Sequence, residues 1–150
     1  TKNKNKKEEL KMTQKLTEDE DSAFRIIEGV YKSYQGFDPQ GIEKVQLEEY
    51  TVWDGTLPQL FKSRSEVKDF HKKDQENTKA RGEFIFEIKP LKVEIKGDIA
   101  IVLSSMEAEW KEPNAWKAKM RITDVMKKVN GKWMMWHHHE SVEPDGYNHI

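Results

Sequence analysis

Cysteine is absent from this chain of 150 residues, which excludes disulfides and thiolate chemistry and leaves the compartment open. Long apolar runs are missing too: none approaches the roughly 20 residues a membrane helix needs, so no membrane partner is expected. Net charge is small, with 26 Lys and Arg against 27 Asp and Glu. The totals therefore give no reason to expect nucleic acid or an acidic membrane surface as partner. No internal repeat is visible, and no methionine opens the chain at Thr1. The expectation is a soluble protein, cytoplasmic or exported after removal of an unseen leader.

Aromatic side chains are plentiful by contrast: five Trp, six Phe and four Tyr in a chain that is 35% charged. They are expected to cluster in the core or around a pocket. The length suits one domain with a single core. Residues 1–15 are Lys-, Asn- and Glu-rich, with only Leu10 and Met12 as apolar anchors, and read as a charged arm ahead of a domain over 16–146.

Thr17 before Glu18-Asp19-Glu20 starts a helix with acids at its positive end. Phe24, Ile27, Val30, Tyr31 and Tyr34 recur at three- and four-residue spacing, predicting an amphipathic helix over 18–35 that ends near Gly36. Asp38-Pro39-Gln40-Gly41 is turn chemistry, and a brief second helix is expected around Ile42, Val45 and Leu47. Tyr50 to Trp53 is a short β-like run stopped by Asp54-Gly55, and residues 56–62 read as a loop able to cover a pocket mouth. Ser63-Arg-Ser-Glu66 has capping-box spacing and opens a helix closed by Gly82. On that helix Val67, Phe70, His71, Asp74 and Thr78 fall near one face. A hydrogen-bonded core histidine is the plainest reading of His71.

From Phe84 the period changes to two. Strands are expected over Phe84 to Ile95, with Pro90 marking an edge or bulge, and over Ile99 to Trp110. A hairpin about Asn130-Gly131 follows. Helices followed by a four-stranded antiparallel meander make an α+β fold, with the helices on one face of the sheet. In the hairpin, strict alternation puts Asp124, Trp136, His138 and Glu140 on the inner face and His137 and His139 on the outer. Met106 and Trp110 share the inner phase one strand away. The neighbouring histidines 137 to 139 lack a third ligand at a recognised metal spacing, so neither metal nor cofactor is expected.

The Thr-Val-Trp-Asp-Gly run at 51–55, Asp69-Phe70-His71, and the ending Asn-Gly-Lys-Trp with His-His-His-Glu-Ser together resemble the nuclear transport factor 2-like superfamily. Within it the chain is most similar to SnoaL-like domains and to the association domain of calcium/calmodulin-dependent protein kinase II. The resemblance spans about residues 18–144 and speaks to fold more than to function, because this superfamily holds isomerases, cyclases, dehydratases and non-catalytic binders.

It implies a cone-shaped α+β half-barrel of the cystatin-like kind, with a curved, mostly antiparallel sheet around a pocket and a homodimer formed through the outer sheet face. The association domain's pocket histidine matches His71, and its basic pocket positions fall on Met106, Asp124 and Glu140. A pocket with carboxylates at those positions should turn away carboxylate ligands and favour neutral or cationic ones.

Three functions stay open: a small-molecule binder, a general acid/base enzyme of isomerase, cyclase or dehydratase type, and an oligomerisation module. The candidate catalytic residues are Asp124, Glu140 and His71. The candidate ligand-binding residues are Met106, Trp110, Trp136, His138, Tyr50 and Trp53.

Overall fold

The switch from helical to alternating patterning at Phe84 marks the division of the molecule. A computed structural model describes residues 16–76 and 81–145; the charged arm and Thr78 lie outside the described residues. Helix α1 (Glu18–Gln35) starts at Thr17, whose hydroxyl accepts the Glu20 amide, and stops at Gly36. Its inward stripe of Ala23, Phe24, Ile27 and Tyr31 is buried. Asp19 in its first turn accepts from Lys128 Nζ at 3.0 Å and Trp133 Nε1 at 2.9 Å, tying the helix start to the far end of the sheet.

The expected second helix is shorter and earlier than its sequence suggests. Asp38 caps it, Pro39 opens it, and α2 covers only Pro39–Glu43. Val45 leads instead into β1 (Gln46–Trp53), a longer strand than the Tyr50 to Trp53 run foretold. The loop after it contains a two-residue strand, β2 (Leu60–Phe61). Helix α3 (Arg64–Glu76) opens with the Ser63 hydroxyl accepting the Glu66 amide, and the Glu66 carboxylate accepts the Lys62 amide. The four strands β3 (Phe84–Lys96), β4 (Ile99–Trp110), β5 (Trp116–Val129) and β6 (Lys132–Val142) form the meander. Asn130 and Gly131 both take positive φ, 51° and 76°, at the final tight turn.

Among the described residues the sheet has six strands rather than four, in the order β2-β1-β6-β5-β4-β3. β1 returns to lie parallel to β6, and the other neighbours are antiparallel. The result is a curved, unclosed sheet with helices on its concave side. Three register shifts interrupt the described ladders: one lies between Gln46 and Thr51 where β1 pairs with β6, and two are single-residue bulges. In β3 the extra residue is Leu91, beside Pro90, where the missing amide proton had pointed to a break. In β6 it is Trp136, since Met126 pairs with Met135 while Val125 pairs with His137.

That second bulge corrects the strict alternation assumed for β6. Trp133 and Met135 face the core before the bulge, His138 and Glu140 face it afterwards, and Trp136 is turned out with 39% of its surface exposed. Trp53 is also turned out, 40% exposed, because Tyr50 and Val52 take the inward positions of β1.

Candidate functional site

The site begins with one cross-strand pair. Asp124 on β5 sits directly opposite His138 on β6, on the inner face. The His138 Nδ1 donates to Asp124 Oδ1 at 2.5 Å, and its Nε2 donates to Glu140 Oε1 at 2.8 Å. With an ionised carboxylate at each ring nitrogen, both nitrogens donate, which is the pattern of an imidazolium. From α1 the Tyr31 hydroxyl adds a 2.5 Å hydrogen bond to the same Glu140 oxygen and stands 3.2 Å from His138 Nε2.

Electrostatics follow this geometry. Burial disfavours charge on His138, yet the Asp124 and Glu140 carboxylates overcome it and hold the imidazole well above its ordinary range. Burial would likewise raise Glu140, but the hydrogen bonds from His138, Tyr31 and the Gly55 amide hold its carboxyl below the usual value. Tyr31 is pushed well up by burial and by the Glu140 and Asp124 charges, so its phenol stays protonated.

Above this floor lies a cavity of about 320 Å³. Of the residues expected at the site, His71, Met106, Trp110, Tyr50, His138 and Glu140 line it. Asp124 does not: it is 0% exposed and sealed behind His138. Trp53 and Trp136, both expected to bind ligand, are not on the cavity wall: their side chains are turned outward, against the inner phase expected of Trp136.

His71 stands on the α3 wall against the Tyr34 and Phe70 rings, and among the described residues it shares no hydrogen bond with the floor. Burial lowers its affinity for a proton, against the pull of Asp74, Asp54 and Glu140. Arg121 donates to the Ser141 hydroxyl at 3.2 Å and not to either floor carboxylate. Among the described residues no three metal-ligating side chains converge to hold an ion.

Tyr31 is the participant that sequence reasoning missed. It sits in the apolar stripe of α1, where core filling accounts for it, and the one signal was that a buried phenol hydroxyl needs a partner. Arg81 and Asp74, also on the cavity wall, were not singled out as site residues.

A helix-backed, curved sheet enclosing a cavity with a buried ionic floor defines a nuclear transport factor 2-like, cystatin-like α+β protein. The sequence matches the SnoaL-like domain family over residues 26–144, and the chain belongs to that family. No curated protein matches it.

Among solved structures it is similar to a nuclear transport factor 2-like protein of unknown function from Pseudomonas putida. That pair is 21% identical with a TM-score of 0.72, covering 84% of this chain and 87% of the other. A ketosteroid isomerase-like protein from Erwinia carotovora is 14% identical with a TM-score of 0.69, covering 87% of this chain and 100% of the other. A protein provisionally named a calcium/calmodulin-dependent protein kinase type II association domain, from Thiobacillus denitrificans, is 15% identical with a TM-score of 0.67, covering 79% and 93%. At these identities the likeness is one of fold.

Proposed function

We propose that this chain binds a small, mostly apolar molecule, a polar group of which, a neutral hydrogen-bond donor or a cation, meets Glu140 on the cavity floor. The observation that carries this reading is the floor itself: a buried carboxylate, fixed by Tyr31 and His138, beneath walls of Met106, Trp110 and Tyr50. Such a cavity, apolar with a few fixed polar groups, suits ligand capture. Asp124 acts through His138 as a positioning residue.

The protonation pattern favours binding over turnover. A general acid or base works best when its pKa lies near the operating pH. Glu140 is held low, while His138 and Tyr31 are held high, so none of the three is poised there. The enzyme reading rests on a different residue, His71, an imidazole kept neutral by burial on the same cavity wall.

Protein-observed NMR with 4-ethylphenol, 4-ethylbenzylamine and 4-ethylbenzoate tests the binding reading. The phenol and the amine are expected to perturb resonances of Tyr31, His138 and Glu140. In Glu140→Gln the amine should lose about tenfold in affinity relative to the phenol, about 1.4 kcal/mol. If none of the three compounds perturbs the cavity, the binding reading is wrong.

We also infer that two copies pair through the outer sheet face, where Trp53, Ile101 and Trp136 are exposed. Sedimentation velocity at micromolar concentration should show a dimer, and Trp136→Glu should convert it to monomer. A monomeric wild-type protein would remove this inference.

A further inference from the structure

The cavity has a second polar pole away from its floor, and Arg81 forms it. Its guanidinium carbon lies over two rings, 4.2 Å from the Tyr34 centroid and 4.4 Å from the Phe37 centroid. The side chain is only 10% exposed and lines the same cavity together with His71 and Asp74. Asp74 Oδ2 comes no closer than 3.9 Å to Nε. Buried Nε and Nη1 find no hydrogen-bond acceptor among the described residues.

A buried guanidinium with unmatched N–H groups is costly, and ring faces beneath its carbon leave Nε and Nη1 to seek an acceptor elsewhere. Asp74 at this distance offsets charge without satisfying those donors.

From this we propose that Arg81 receives a carboxylate of the bound molecule, so that the ligand is bifunctional: a hydroxyl-type donor at Glu140 and a carboxylate at Arg81, joined by an apolar frame. The proposal rests on the binding reading above and names the ligand class for the same cavity. It also revises the expectation that the pocket turns carboxylates away, because that repulsion applies at the Glu140 floor and not at the Arg81 wall. Charge-assisted hydrogen bonds to a carboxylate are the stronger kind, and a neutral ligand would leave the guanidinium unmatched.

The test is a calorimetric titration of wild type, Arg81→Gln and Arg81→Lys with 4-hydroxybenzoate, 4-hydroxyphenylacetate and 3-(4-hydroxyphenyl)propionate. Each acid is compared with the 4-alkylphenol of equal length, and NMR locates the binding. For the acid whose length fits, wild type should prefer the carboxylate by about tenfold or more. Arg81→Gln should abolish that preference while leaving the phenol's affinity in place. Arg81→Lys, which keeps the charge and loses the planar fork, should retain only part of it, and it serves as the variant if glutamine prevents folding.

Phenols binding in the cavity with no acid preferred overturns the Arg81 pole and leaves the binding reading standing. A preference unchanged in Arg81→Lys, or acid-induced shifts confined to surface lysines, also overturns the pole. If neither phenols nor acids reach the cavity, both readings fall together.

Discussion

Replacing His138 with leucine is expected to destabilise the fold by about 3–5 kcal/mol at pH 7, the cost of breaking a buried ionic array by removing its central member. The side chain touches Asp124 on one edge and Glu140 on the other, and Tyr31 closes the group from α1. Without the imidazolium, two buried carboxylates lose their shared counter-charge. Asp124 suffers most, since its Oδ2 already has no hydrogen-bond partner among the described residues. Adding Asp124→Asn to His138→Leu should therefore recover about 1–3 kcal/mol, a coupling that a double-mutant cycle by urea denaturation measures directly. A fully additive cycle would show that the two side chains do not act as a unit.

The second large effect is a loss of stability on the alkaline side of neutrality. An ordinary histidine titrates near 6.5, whereas His138 in the fold keeps its proton well above that. Its contribution is therefore complete below pH 6.5 and disappears as pH rises through the folded value, at up to about 1.4 kcal/mol per pH unit.

Glu140 works from the other side. Its folded value lies below 4.5, so its contribution is present above 4.5 and is lost as pH falls through the folded value. Together they place the window of full stabilisation between pH 4.5 and 6.5. His71 and His137, both pushed down chiefly by burial, oppose this only below 6.5, where folding resists their protonation. Tyr31 and Tyr50, raised by burial, become relevant only above pH 10. Denaturation midpoints should thus decline from pH 6.5 to 9 in the wild type and stay level over that range in His138→Leu. A level wild-type profile would refute a charged His138.

Much of the architecture could be read from local chemistry. Thr17 and Gly36 bounded the first helix because capping is a local matter, and Asn130-Gly131 fixed the last hairpin because few residues tolerate positive φ. Pro90 announced a break in β3 because it cannot donate to the ladder. The bulge at Trp136 carried no such mark, having neither glycine nor proline beside it, and a constant period of two put Trp136 indoors.

Trp53 went astray for a simpler reason. It is three residues from Tyr50, so an even alternation could never have put both on one face. The parallel pairing of β1 with β6 was also out of reach, because it joins Gln46 to Met135 and depends on closure of nearly the whole domain. The inward phase of Asp124, His138 and Glu140 was legible, but their convergence on one another and on Tyr31 was not, since β-strand phase says which face a residue takes and not which partner it meets there.

The bond from Tyr31 to Glu140 joins residues 109 apart, and that from Trp133 to Asp19 joins residues 114 apart. Non-local pairings of this kind are slow to form and contribute only once the intervening chain has been ordered. A ribosome must release β6 before the first helix can meet it. Until then the phenol stays apart from the histidine and the two acids, which share one local hairpin, so the cavity floor is completed only when α1 docks on the sheet.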